Sequence, residues 1–435
     1  MVNATWHVAA IRFGLGPRLG EAPPADPRAW LGAQLGEEAP LPPGPSAGDG
    51  LRARAEDILD RNRSQGQLTG PTRAGQIARS TAQAWASRRL AAAAPFRERL
   101  VDFWMNHLTA SRRNGQLNVL VGAYEREAIR PHVTGRFADM LVAAVLHPAM
   151  LIYLNADSSV GPNSAFGQRS GRGLNENLAR EVLELHTLSP SGGYTQGDVT
   201  EFARLLTGWS VAQRAEPFGT IFRRHAHDPG AKRVLGRPFE EGPEAAEAAL
   251  RFLAAQPATH RHLAVKLARH FVADDPPPAA IRTIEAALRD SDGDLGAAAR
   301  ALLALEAAWE PPLGKLRTPG DYVLALCRAT ALPEDRPEVV LNAMAALGQP
   351  LWTAPQPIGW PDHGEAWAAP EAIMRRVDWA HTLAGRLQAL LEPRAVAAAV
   401  LGPLARAETV TAVDRAGSPR DALTLVFSSP EFMRR

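Results

Sequence analysis

Cysteine is all but missing from this chain, Cys327 being the only one in 435 residues, so neither an internal disulfide nor a thiolate metal cluster can form within one copy. Cys327 sits in the apolar run YVLALCRATAL and is expected to be a small buried hydrophobe. Unbroken apolar stretches of membrane-spanning length are also lacking, and no membrane span is predicted. Charge of one sign is not in excess either. The 48 Lys and Arg against 46 Asp and Glu leave +2, scattered rather than gathered into a block, which argues against nucleic acid or an anionic membrane as partner. The start, MVNATWHVAAIRFGLG, has no charged n-region, long apolar core or twin arginine, so a cytoplasmic location is expected. Lysine is nearly absent, with Lys232, Lys266 and Lys315 set against 45 arginines. A coding bias explains this. The three survivors are then either chance or places where a compact, rotatable ammonium is wanted and a planar guanidinium does not fit.

What is present is helical patterning. Ala/Leu/Arg segments with helical period occupy 75–94, 95–108, 124–145, 243–255 and much of 262–328. The reading is a mostly α, multi-helical globular protein, long enough to bury a large core, with one small β-hairpin region near 218–235 where turn signals replace the period. Residues 1–50 read as an N-terminal helical segment followed by a Pro/Gly linker at 36–50. Residues 51–320 read as a central helical domain and 321–435 as a C-terminal helical region. The Gly/Ser/Asn-rich stretch 155–173 is expected to be a binding loop, a lid or a disordered segment. The run GQPLWTAPQPIGWPDHGEAW carries three tryptophans and is expected to pack against something despite its irregularity.

The run 175–209, NENLAREVLELHTLSPSGGYTQGDVTEFARLLTGW, concentrates polar chemistry beside an apolar stripe. Thr195 opens T-x-x-D with Asp198 ahead of Val199, Phe202 and Leu206, predicting a helix to about Leu206 in which Asp198 is structural. Upstream, Asn175 predicts the cap of a helix with the stripe Leu178, Val182 and Leu185. At about 100° per residue, Glu181 and His186 flank that stripe on opposite sides, with Asn177 and Glu184 further round beside Glu181. Glu181 is thus the carboxylate expected to be partly buried, and it must meet a cation, donors or a metal, or else be protonated. In 97–111, His107 lies at the edge of the stripe Leu100, Val101, Trp104 and Leu108, pointing inward as a core histidine or as a ligand. Asn106 faces elsewhere, towards a loop backbone.

Alternation along the predicted hairpin would put His225 and His227 on one face, next to Asp228. Two imidazoles with carboxylates suit zinc, manganese or iron, so the candidate metal set is His107, Glu181, His225, His227 and Asp228, with a divalent metal as the cofactor it would take. Yet no H-e-x-x-H pattern occurs, and a turn at Asp228, Pro229 and Gly230 accounts for Asp228 without a ligand. Lys266 lies on a helix burying Leu263, Leu267 and Phe271, with His270 on the flank. An anion could be held there, but salt bridging is the favoured expectation. Two tempting motifs fail for want of a preceding strand: the G-x-S-x-G match at Ser46, and Gly14, Gly16 and Gly20 as a dinucleotide loop.

Together with FWMNHLTAS at 103–111, HDPGAKRVLG at 227–236, VKLARHFVADDPP, KLRTP and SSPEFMRR, the central run resembles the bacterial family known as domain of unknown function 1800 over nearly the whole chain. That resemblance implies a mainly helical fold and a sulfatase-like companion protein as partner. Two functions follow as expectations. In one, the chain is a hydrolase or metal-assisted acid/base enzyme with Glu181 as general base and Glu184 beside it. His107 and His227 then act as ligands or proton carriers, Lys232 stabilises an anion, and Asn106, Asn177 and His186 complete the polar cluster. In the other, it is a non-catalytic binding or maturation partner of the companion, and these groups form a buried network that fixes the fold.

Overall fold

A computed structural model of the protein describes residues 4–36, 40–64, 66, 70–112, 115–311 and 313–435. Residues 37–39 of the predicted linker lie outside the described residues. The rest of that linker is partly helical, because Ser46 accepts from the backbone N–H of Asp49 and caps the helix Ala47–Arg63. The fold is mostly α, with two small antiparallel two-stranded sheets among the described residues.

Proline opens many of the helices, taking the first position, where its missing N–H and fixed φ are no liability. The helices used below are α1 (Arg73–Ala91), α2 (Pro95–His107), α3 (Gln196–Leu206), α4 (Pro257–Phe271), α5 (Pro319–Ala329) and α6 (Pro370–Leu387). Both members of the predicted capping box at α3 are present, Thr195 bonding the Asp198 N–H and Asp198 the Thr195 N–H.

The β-rich region lies where turn signals predicted it, but residues 218–235 are not paired with one another. Strand β1 (Trp209–Ala212) pairs with β2 (Gly219–Phe222), and β3 (Lys232–Val234) pairs with β4 (Arg237–Phe239), so the region contributes halves of two hairpins. Between them Arg224–Ala226 forms a 3-10 turn. Strand alternation therefore does not apply to His225 and His227. His225 is exposed while His227 is buried, which corrects their expected common face.

Two apolar cores form. The larger draws on residues from Val8 to Leu313, with Phe13 in ring contact with Phe96, Phe271 and Trp309, and Phe96 with Phe271. Each such ring, fully enclosed, contributes about 1.5–3 kcal/mol. The second gathers Tyr322, Leu326, Phe427 and Phe432 with Leu15 and with Trp85, Ala86 and Leu90 of α1. Thus α1, from the first quarter of the chain, packs with the C-terminal helices. The 155–173 stretch is ordered by a short helix, Ala165–Ser170, and by the Asn163 N–H donating to Asp228 at 3.0 Å.

Candidate functional site

Where the two cores meet, the ends of α2 and α4 face the start of α5 and the tryptophan-bearing loop 349–362 across a cleft of about 160 Å³. Trp85, Trp352 and Trp360 give it flat apolar walls, and Lys266, His270 and Asp362 give it polar ones.

The loop is tied to α2 by the residue predicted to bind a loop backbone. Asn106 donates from Nδ2 to the Trp360 carbonyl at 3.0 Å and accepts from the Trp360 N–H at 2.7 Å. Gly359 permits this approach, having φ +87° and lying so close that an added Cβ would stand 2.4 Å from the Asn106 carbonyl oxygen. The Arg112 N–H donates to the Trp352 carbonyl at 2.8 Å and fixes the other end. Trp367, the third tryptophan of the run, packs on Trp360 with ring centroids 5.8 Å apart.

Beneath the cleft lies an ionic floor. Asp362 stands 3.0 Å from Nδ1 of His270 and 3.4 Å from Nζ of Lys315, which also bonds Asp274 at 2.7 Å. Asp321 pairs ionically with Arg435 at 2.9 Å and accepts a hydrogen bond from Arg99 at 3.2 Å. Burial alone would raise both aspartates. Their cationic and imidazole neighbours, His270, Lys315 and Arg435 for Asp362, and Arg99 and Arg435 for Asp321, overcome that and hold them well below the usual carboxylate range.

Burial pushes His270 down to about 4, against the opposing pull of Asp362, so its ring is neutral near pH 7. Arg435 also approaches Nδ1, at 3.4 Å, but the closer, acceptor-only carboxylate assigns the proton to Nδ1. Nε2 then carries the lone pair, and it is enclosed without a hydrogen-bond partner among the described residues.

Lys266 occupies the same face of α4 one turn earlier, and His262 one turn earlier again, giving a His-Lys-His line at four-residue spacing. The expected salt bridge of Lys266 does not form. No carboxylate of the described residues lies within ion-pair distance, although burial lowers the ammonium and Asp362 opposes this only from further away. Around it stand imidazoles held neutral. Burial first, then the Lys266 charge, takes His186 to about 3 and His107 well below its ordinary value, while burial takes His262 to about 4.

The imidazole cluster forms because the segment after Asn177–Glu181 winds more widely over Val182–His186 and then ends. Its last carbonyls need donors. Nε2 of His107 bonds the His186 carbonyl at 3.1 Å, and Nε2 of His262 bonds the Leu185 carbonyl at 3.0 Å. The His186 ring is fully buried, and neither nitrogen has a hydrogen-bond partner among the described residues.

Eight of the ten residues expected to share one centre fall into three groups, with His225 and Asn177 exposed outside them. Asn106 and His107 line the cleft, with His186 behind His107. Lys232, His227 and Asp228 form a second group. Lys232 Nζ donates to the Asp228 carbonyl and lies 3.3 Å from Nε2 of His227, while Asp228 binds Arg204 of α3 at 2.6 Å and Nδ1 of His227 bonds the Thr207 carbonyl at 2.7 Å. These contacts satisfy the group locally. Glu181 and Glu184 form a third. Glu181 is half-buried and has no hydrogen bond or ion pair among the described residues; burial and its neighbour Glu184 raise its carboxyl, while Glu184 accepts from Tyr194 at 3.4 Å. Asn177 is exposed, its N–H held by the Asn175 side chain at 2.9 Å. Among the described residues no three His, Cys, Asp or Glu side chains are arranged to hold a metal ion, so His107, Glu181, His225, His227 and Asp228 do not converge as a metal set.

Lys266, His270, Asp362 and the cleft tryptophans were not part of the predicted centre. HLAVKLARHF showed the spacing that aligns His262, Lys266 and His270, and Lys266 is one of only three lysines. The approach of Asp362 from the far end of the chain left no such sign.

Fold and site together define a mainly α-helical protein with a cleft bearing a histidine-carboxylate pair and an amine. The family described as Protein of unknown function (DUF1800) matches residues 8–434, and the chain belongs to it. Neither the curated proteins nor the solved structures contain a match. No helix among the described residues is long and apolar enough to cross a membrane.

Proposed function

We propose that the chain is an acid/base enzyme working on a small substrate in the tryptophan-walled cleft. In this reading His270 accepts a proton at Nε2, Asp362 holds its tautomer and orientation, and Lys266 presents its amino group to the substrate. The observation that carries the proposal is a neutral histidine with an unpartnered Nε2 and a lysine without an ion pair on one face of α4, both lining one cavity. Among the described residues no serine or cysteine lines the cleft, and Thr109 and Thr318 are engaged with backbone groups, so the proton removed belongs to water, to the substrate or to the Lys266 amine. For a substrate with a hydrolysable bond, attack by an activated water is the corresponding reaction. Glu181, Glu184 and Lys232 have no part in it, and His107 lines the wall without accepting protons.

The test is turnover of a panel of small esters, amides and phosphate monoesters by the intact protein, with His270→Asn as comparison. The variant is expected to lose at least about 100-fold in kcat, the usual range for a removed general base, while KM stays within a few-fold. Equal turnover by both proteins would overturn the assignment. The alternative role, as non-catalytic partner of a sulfatase-like companion, rests on the family resemblance. It predicts an inert panel together with a companion that co-purifies equally with wild type and His270→Asn.

A further inference from the structure

The amine of Lys266 has an environment different from those of the other two lysines. Lys232 is bonded to the Asp228 carbonyl and His227, and Lys315 is held by Asp274 and Asp362. Lys266 has neither a hydrogen bond nor an ion pair among the described residues, yet it lines the cleft. The groups that sense its charge are His107, His186 and His262, all uncharged near pH 7, with Asp362 and Arg269 acting from further away. With only neutral imidazoles close by and no carboxylate of the described residues within ion-pair distance, burial lowers the ammonium towards the free amine, and a free amine in a cleft is a nucleophile.

We infer that Lys266 forms an imine with a carbonyl substrate, an aldehyde or ketone attached to a flat or short apolar body that fits between the tryptophans. This rests on the cleft being the working site and adds a covalent step to it. The Lys266 nitrogen bonds the carbonyl carbon as the C=O π pair moves to oxygen. His270, one turn along α4, takes the first proton from nitrogen at Nε2 and passes it to the alkoxide, giving a carbinolamine; it then takes the second and delivers it to the hydroxyl, which departs as water as the C–O bond breaks and the nitrogen pair closes C=N. One amine and one carbonyl thus give one imine and one water, with no oxidant or reductant consumed.

The scarcity of lysine makes the test clean, because the full chain offers three side-chain amines. The protein is incubated with 4-carboxybenzaldehyde and sodium cyanoborohydride, and adducts are mapped by peptide mass spectrometry. Lys266 is expected to be modified at least tenfold faster than Lys232 or Lys315, with His270→Asn slowing its modification and Lys266→Arg abolishing it. Modification of Lys266 no faster than that of the other two overturns the proposal. Terephthalate, which has the same ring but no carbonyl able to condense, is titrated in parallel by quenching of tryptophan fluorescence. Quenching that Trp352→Leu weakens, without an adduct on Lys266, overturns the imine and leaves the cleft as a binding site. Absence of both overturns the imine and the cleft reading together.

Discussion

At the scale of single residues, the most exposed energetic fault is Arg376 on α6. Its side chain is completely buried, and none of its three guanidinium nitrogens has a hydrogen-bond partner among the described residues. Among the described residues the Tyr322 ring lies 5.6 Å from the guanidinium carbon, and the charge of Asp321 favours the cation from further away. A buried charge without a partner costs several kcal/mol, whereas a desolvated cation-ring contact returns about 2. Arg376→Met keeps the apolar stem and removes the charge, so it is expected to stabilise the protein by about 1–3 kcal/mol, on the scale found when buried ionic groups are exchanged for apolar ones. Urea denaturation with an unchanged m value would read this as a higher midpoint. A lower midpoint would mean that the ring contact outweighs the desolvation.

At the scale of elements, the cleft depends on an irregular loop staying in register with α2. Two reciprocal hydrogen bonds between Asn106 and the Trp360 backbone do this. Asn106→Leu leaves both backbone groups of Trp360 without these partners, and a buried group left unpaired costs about 1–3 kcal/mol. The expected result is faster amide hydrogen exchange confined to the loop and weaker ligand quenching, with the melting of the distant helices little changed. Gly359→Ala should act more severely on the same loop, since it adds a Cβ against the Asn106 carbonyl at a positive φ. An unchanged exchange rate in either variant would remove the loop from the account of the site. Much of this scale was legible in the sequence. The Thr195 cap, the inward His107, the loop-directed Asn106 and the packed tryptophan run all follow from period, capping chemistry or composition. The position of His186 was harder to read, because its segment winds at i+5 rather than i+4 and shifts each side chain off the assumed 100° wheel. Strand alternation does not relate His225 to His227, because the 3-10 turn Arg224–Ala226 stands between the strands.

At the scale of the whole molecule, the pairing of distant segments was not legible, because hydrophobic period gives each helix a buried face without naming its partner. Asp362 meets His270, and Lys315 meets Asp274, through topology alone. That topology has a consequence for acid stability. His186 lies at about 3, and His262 and His270 at about 4, all through burial, against about 6.5 in an unfolded chain. Between those values the unfolded state binds more protons than the folded one, so stability rises with pH there. The contribution is intact above about 6.5 and lost as the pH falls towards 4, with a slope approaching about 1.4 kcal/mol per pH unit for each imidazole. The ion-paired carboxylates have a different window. Glu98, held down to about 2 by Arg89 and Arg130 despite its burial, gives up its share only below about 4. Urea midpoints at pH 7.5, 6.5, 5.5 and 4.5 are therefore expected to fall steeply through the histidine window before the carboxylates begin to titrate. His186→Leu should lessen that fall, since its ring nitrogens have no bonds to lose and its carbonyl, which binds His107, is retained. If the variant and the wild type decline in parallel from pH 6.5 to 4.5, the buried imidazole at His186 is not what makes the fold acid-sensitive.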